Sequence, residues 1–131
     1  MGKQKPSAAD TRETAVTVLI CEDEDVLREL MKVALGPRFA VIEAADGPTA
    51  LEVALRERPD VMLVDLMLPG ITGVDLIRTL RGDPATAEIA IVVVSAWREA
   101  EQEALAAGAD RFVAKPFDPG ELLATVEEVV S

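Results

Sequence analysis

The sequence predicts an α/β fold, a (βα)5 three-layer sandwich built on one five-stranded parallel sheet. Two observations carry this expectation. Five short apolar runs recur along the chain, and several are continuously apolar rather than alternating, as strands buried on both faces of a parallel sheet require. Between and after them lie segments whose apolar residues recur every three or four positions, the period of a helix with one buried face. Strand and helix alternating in this way, with right-handed crossovers, put helices on both sides of the sheet.

The elements follow in order. Val16–Cys21 (VTVLIC) is the first strand, and Val26, Leu27, Leu30, Met31 and Ala34 stripe the helix after it. Phe39–Glu43 (FAVIE) is the second strand, followed by a helix striped by Ala50, Leu51, Ala54 and Leu55. Val61–Asp65 (VMLVD) is the third, and Val74, Ile77 and Leu80 step by three along the next helix. Ile89–Ser95 (IAIVVVS) is the fourth. The segment behind it, Arg98–Ala107, is rich in Ala and Glu and has the poorest apolar stripe of any helix. Arg111–Ala114 (RFVA) is the fifth strand, and Leu122, Val126 and Val130 step by four along the last helix. Gly36-Pro37, Gly82-Asp83-Pro84, Gly108 and Asp118-Pro119-Gly120 punctuate the segments. One domain of this size with five parallel strands suggests the flavodoxin-like order 2-1-3-4-5. Ligands then sit beyond the carboxyl ends of the strands, at the switch between strands 1 and 3.

Composition narrows the function. The 131 residues make one domain, expected at 15–131, while the polar stretch 1–14 reads as a disordered tail. Half the residues are hydrophobic (50%) and only 3% aromatic, so the core is aliphatic. The lone cysteine, Cys21, has no internal disulfide partner and fits a small buried hydrophobe in a reducing compartment. No apolar run approaches a membrane span and the start does not resemble a signal peptide, so a cytoplasmic location without a membrane partner is expected. The formal net charge is −11 and Lys and Arg do not cluster, which argues against direct nucleic-acid binding. The absence of histidine excludes His-based acid–base chemistry, His metal sites and a phosphohistidine carrier. Neither GxxxxGK[ST] nor GxGxxG occurs, so nothing suggests a bound nucleotide.

The strand ends carry the chemistry. Glu22 and Asp23 follow strand 1, Asp65 ends strand 3, Ser95 ends strand 4, and Lys115-Pro116 follow strand 5. Singly, most of these have ordinary explanations. The acidic run from Glu22 suits a helix start, Ser95 suits a local hydrogen bond, and one lysine suits solvent. Asp65 is harder to dismiss, because Leu66, Met67 and Leu68 offer it no nearby donor and desolvating a carboxylate is expensive. Together the groups converge on one rim. Three carboxylates meeting there repel, each pair by about 1 kcal/mol in water and about 4 kcal/mol near a protein surface. One lysine does not balance three negatives. An all-oxygen, carboxylate-rich, partly open site suits Mg²⁺, with a backbone carbonyl after Asp65 as a further ligand.

The stretches VLICEDED, PDVMLVDLMLPGITG, IVVVSAW and RFVAKPF resemble the four signature segments of the response-regulator receiver domain. The likeness covers about residues 15 to 130, and each segment falls on the strand end where the family has it. It implies that Asp65 is the phosphoacceptor, a nucleophile that takes a phosphoryl group from a histidine kinase or phosphotransfer protein. It implies that Glu22, Asp23, Asp65 and the backbone carbonyl of Met67 hold Mg²⁺. Ser95 and Lys115 would bind phosphoryl oxygens, Pro116 matches the family's cis-proline, and Phe112 takes the place of the switch aromatic. Phosphoryl transfer needs mainly an in-line nucleophile and positive charge on the equatorial oxygens, which agrees with these roles. In the family, phosphorylation draws Ser95 and then the strand-5 aromatic inward. The face of the fourth helix, fifth strand and fifth helix would then dock a downstream target or output domain, or form a phosphorylation-dependent homodimer.

The chain departs from the family pattern in places. Glu22 stands for the commoner Asp and reaches one methylene further; Thr72, before Gly73, is a slightly poorer helix cap than Asp or Asn. Phe112 lacks the hydroxyl of the usual tyrosine. Met67 and Trp97, both large and apolar, shape the mouth of the site and are expected to slow loss of the phosphoryl group. Such a receiver transfers phosphate to itself and loses it slowly, but is not a turnover enzyme on an external substrate. A phosphorylation-independent interaction module is the competing reading, and retention of all of Glu22, Asp23, Asp65, Ser95 and Lys115 argues against it. A Mg²⁺-dependent phosphatase would need a second acid near Asp65, where the chain has Leu66, Met67 and Leu68. The sequence fits both a single-domain regulator and one domain of a longer protein.

Overall fold

The structure, a computed structural model, describes residues 15–131; the expected tail at 1–14 lies outside the described residues. Five strands and five α-helices alternate: β1 (Thr17–Cys21), α1 (Asp25–Leu35), β2 (Ala40–Ala44), α2 (Gly47–Glu57), β3 (Val61–Val64), α3 (Gly73–Gly82), β4 (Ala90–Ser95), α4 (Glu101–Ala107), β5 (Arg111–Ala114) and α5 (Pro119–Val130). The sheet is parallel throughout with order β2-β1-β3-β4-β5, the flavodoxin-like arrangement expected. Asp65 lies one residue past β3, its amide still donating to the Cys21 carbonyl at 3.1 Å. The weak segment Arg98–Ala107 divides into a 3-10 turn at Arg98–Ala100 and the seven-residue α4.

The alternating pleat builds two cores. Leu19, Cys21, Met62, Val64, Ile91 and Val93 face α2, α3 and α4, and Cys21 is fully buried as expected. Val18, Ile20, Leu63, Val92, Val94 and Val113 face α1 and α5, which supply Met31, Leu35, Leu122 and Val126. The core is aliphatic, as the composition requires. Among the described residues no helix is long and apolar enough to cross a membrane.

The first helix corrects the expected stripe. Met31 and Leu35 are buried, but Val26 is 73% and Leu30 50% exposed, and Val33 joins them on the outside. Apolar residues occupy two faces of α1, so periodicity alone does not say which face turns inward. Packing with the sheet and α5 buries the Met31–Leu35 face. In that orientation Arg28 and Lys32 both reach Glu43 on the edge strand β2, at 2.9 and 3.0 Å. In α2 the inward face is Ala50, Val53 and Ala54, while Leu55 is partly exposed rather than core. Thr72 does cap α3, its Oγ1 accepting from the Asp75 amide at 3.1 Å.

Candidate functional site

Side-chain alternation explains why the acids meet. Counted on from Val18 and Ile20, Glu22 falls on the α1/α5 side of the sheet; so do Asp65 after Leu63 and Lys115 after Val113. Three strand ends thus deliver two carboxylates and an ammonium to one place. Lys115 Nζ donates to Glu22 Oε1 at 2.8 Å and to Asp65 Oδ2 at 3.0 Å. Asp23 stays exposed at the edge of the cluster, and carboxylate oxygens of Glu22, Asp23 and Asp65 all lie within 4.8 Å of one another.

Each group is held from the far side as well. Glu22 is 0% exposed, and its second oxygen accepts from the Glu24 amide at 3.1 Å. Burial raises its pKa above the ordinary glutamate value, against the pull of Lys115 and the Glu24 amide. For Lys115, burial works to lower the pKa, but its hydrogen bonds to Glu22 and Asp65 outweigh burial and hold the ammonium above the usual lysine value. Lys115 is therefore a firmly protonated cation between two acids. Asp65 is not without a neighbouring donor, contrary to the expectation from its apolar neighbours. The backbone amide of Met67 donates to its Oδ1 at 3.0 Å, a contact that side-chain identities do not show. Leu66 and Leu68 are buried beside it, while Met67 projects outward at 64% exposed.

The loop after Asp65 is clamped at both ends by close backbone approaches. The Gly47 amide donates to the Pro69 carbonyl at 2.9 Å and the Gly73 amide to the Leu66 carbonyl at 3.0 Å. A Cβ on Gly73 would sit 2.5 Å from Leu66 Cα and 3.0 Å from the Asp65 carbonyl oxygen. Sequence reading assigned neither glycine a role; the Asp-Gly-Pro start of α2 and the Thr-Gly start of α3 were the available signals.

By pleat alternation Ser95 and Phe112 fall on the other face of the sheet from Glu22 and Asp65. Counted from Val93, both belong to the α2–α4 side, and Phe112 pairs with Val93 across the ladder and packs half-buried against that core. The Ser95 side chain is buried, its Oγ accepting from the Trp97 amide at 3.1 Å. Trp97 is 46% exposed and, with Met67, Leu68, Val74 and Arg78, lines a groove between α3 and α4. The Lys115–Pro116 peptide is cis, as the family resemblance implied. On the other side of the acids, Val26, Leu30 and Val33 stand outward on α1, with Leu30 and Val33 bordering an apolar groove shared with Pro116, Phe117 and Pro119. The helical stripe in the sequence points Val26 and Leu30 to the core, and the structure turns them out.

The arrangement can hold a hard cation and present a carboxylate oxygen to an incoming electrophile. The sequence matches the response regulator receiver domain over residues 18–127. It is 38% identical over 117 residues to the phosphate regulon transcriptional regulatory protein PhoB of Pseudomonas aeruginosa, covering 87% of this chain and 51% of that protein. It is 41% identical over 116 residues to the transcriptional regulatory protein CseB of Streptomyces coelicolor, covering 86% of this chain and 48% of that protein. The chain therefore spans about half the length of these relatives. Among solved structures, the chemotaxis response regulator CheY4 of Vibrio cholerae superposes with a TM-score of 0.83 at 31% identity, covering 88% of this chain and 99% of that one. The REC domain of AraT, a response regulator from Geobacillus stearothermophilus, gives 0.77 at 32%, covering 89% and 94%. With the match running from β1 into α5 and the strand order the same, the chain belongs to the response regulator receiver domain family of two-component signalling.

Proposed function

We propose that this receiver is a working phosphoacceptor that takes a phosphoryl group on Asp65 in a Mg²⁺-dependent reaction. The observation that carries the reading is the trio Glu22, Asp23 and Asp65 drawn within 4.8 Å with one lysine between two of them. Formal charge at the rim is then −2, which one bound divalent cation neutralises. The donor set, carboxylates at the edge of solvent with no histidine or thiolate, fits a hard ion. Glu22, Asp23, Asp65 and the Met67 carbonyl would hold it. Bound there, magnesium supplies positive charge to the phosphoryl oxygens and shields the acids from one another.

The chain's own residues do the rest. An Asp65 carboxylate oxygen attacks phosphorus, and the bond from phosphorus to the donor's imidazole nitrogen breaks in line with it. The electron pair leaves on that imidazole, which takes up a proton. Lys115, already at 3.0 Å from Asp65, turns one N–H to a phosphoryl oxygen, and the Ser95 hydroxyl is free to donate its proton to another. Glu22 and Asp65 are themselves buried, which limits water around the attacking oxygen. The donor is a partner histidine kinase or phosphotransfer protein, and the exposed apolar strip Val26, Leu30 and Val33 beside the acids is the surface offered to it.

The response leaves through Ser95, Phe112 and the α4–β5–α5 face to a protein target or an attached output domain, without direct nucleic-acid contact by this domain. PhoB and CseB are named as transcriptional regulators, so control of transcription through the rest of a longer protein is one such output. The receiver works in the cytoplasm and is not a turnover enzyme. A titration of Trp97 fluorescence with Mg²⁺ and then beryllofluoride, on wild type and Asp65→Asn, tests the switch. The expected result is a beryllofluoride response in wild type that Asp65→Asn lacks; equal responses, or none in wild type, would refute it.

A further inference from the structure

Arg28 sits on the second turn of α1 and reaches back to the loop that carries two of the acids. Its donors go three ways. Nη1 donates to the main-chain oxygen of Glu22 at 2.7 Å, Nε to Glu43 Oε1 on β2 at 2.9 Å, and Nη2 pairs with Asp25. Lys32, one turn on, holds the same Glu43 at 3.0 Å and Glu29 at 2.8 Å. The Arg28 side chain is largely buried, with 16% exposed. The Glu22 amide is tied too, donating to the Ala44 carbonyl at 3.1 Å. Both main-chain groups of Glu22 are therefore fixed, one by the β2 backbone and one by Arg28.

We infer that Arg28 is a positioning residue for divalent-cation binding. It touches no reacting atom. It sets the orientation of the Glu22–Asp23 peptide, and with it the direction in which both carboxylates point. Only a planar fork serves three acceptors in fixed directions, so lysine is a poor substitute. The inference rests on the reading that these acids hold magnesium, and it adds the residue that determines how tightly.

Two explanations of such a residue predict opposite signs. A cation close to the acids weakens, through space, their attraction for a second cation, so removing it as a mere charge should tighten binding. Losing a partner that orients ligands weakens binding instead, by about tenfold or more.

The test is a Mg²⁺ titration of the whole chain, read by Trp97 fluorescence and by calorimetry, on wild type, Arg28→Met and Arg28→Lys. Thermal unfolding is recorded alongside, and titrations are run well below each midpoint. The expected result is a Kd about tenfold weaker in Arg28→Met. Arg28→Lys, which keeps the charge and loses the fork, is expected to be weaker as well. Because lysine keeps the helix surface and net charge, that variant reports even if Arg28→Met does not fold. Unchanged or tighter binding in either folded variant overturns the inference. A wild-type chain indifferent to Mg²⁺ overturns the metal reading itself, and this inference with it.

Discussion

The rim of the sheet has two halves that are built differently. At the ends of β1 and β3, Glu22 and Asp65 are buried, share Lys115, and take further bonds from the Glu24 and Met67 amides. Arg28 and two close glycine contacts hold the flanking loops. At the end of β4, the Ser95 hydroxyl accepts from the Trp97 amide, Trp97 lies half in solvent, and the chain continues as a 3-10 turn and a seven-residue helix that bury Ala100 and Ala104 but no large side chain fully. The proposed function gives the contrast a reason, since it asks different things of the two halves. Transfer to Asp65 would need groups already in place, because reorienting them during the reaction would add to the barrier. A readout needs an element with a second arrangement close in free energy, and lightly anchored helices are where such elements are found.

Substitutions at the two halves should therefore differ in kind. The largest effect is expected at Lys115. Lys115→Met leaves Glu22 buried beside Asp65 without its cation, a loss of about 3 kcal/mol in urea unfolding without Mg²⁺. Saturating Mg²⁺ should restore part of it, since a ligand of the folded state stabilises by mass action. A loss under about 1 kcal/mol would mean that the acids do not depend on the lysine. Next comes Gly73→Ala, whose Cβ meets backbone rather than a side chain tip. About 2 kcal/mol of stability should go, together with a slower phosphorylation rate as Asp65 and Leu66 shift. Full activity in that variant would show that the loop tolerates displacement.

Acidification gives a smaller, graded test. Metal binding at this rim would require Glu22 ionised, and burial holds its pKa above that of an ordinary glutamate. Protons therefore compete at a higher pH than free carboxylates would allow. Mg²⁺ affinity should fall as pH drops while exposed carboxylates are still ionised, by about tenfold per unit below the Glu22 pKa. An affinity flat down to the ordinary glutamate range would contradict the tight packing of the first half. The smallest effects belong to the mouth. Met67→Asn and Trp97→Ala should shorten the lifetime of the phosphorylated form several-fold, as timed by phosphate release; unchanged or slower decay would show that neither residue hinders water.

How much of this was legible before the structure depends on the range of the interaction. The five strands could be read because each is a local run of aliphatic residues, and strand order then fixes which residues share a rim. Their place at strand ends points to Glu22, Asp23, Asp65, Ser95 and Lys115 on one rim, while the pleat, which the local pattern leaves out, separates Ser95 from Glu22 and Asp65. Hidden were the contacts that no local pattern encodes. The bond from Lys115 to Glu22 joins residues 93 apart, and the Met67 amide on Asp65 is a backbone group invisible to side-chain reasoning. The face of α1 was misread for the same reason. Its apolar residues occupy two sides, and the one that turns inward is settled by packing against other elements, not by the local pattern.

The most direct test is to expose the chain to a small-molecule phosphoryl donor such as phosphoramidate, with Mg²⁺ or with a chelator, and map the product by mass spectrometry. One phosphoryl group on Asp65, formed with Mg²⁺ and absent from both the chelated sample and Asp65→Asn, is the expected result. Phosphate on any other residue, or on Asp65 equally without the metal, would contradict the assignment of the acids at this rim.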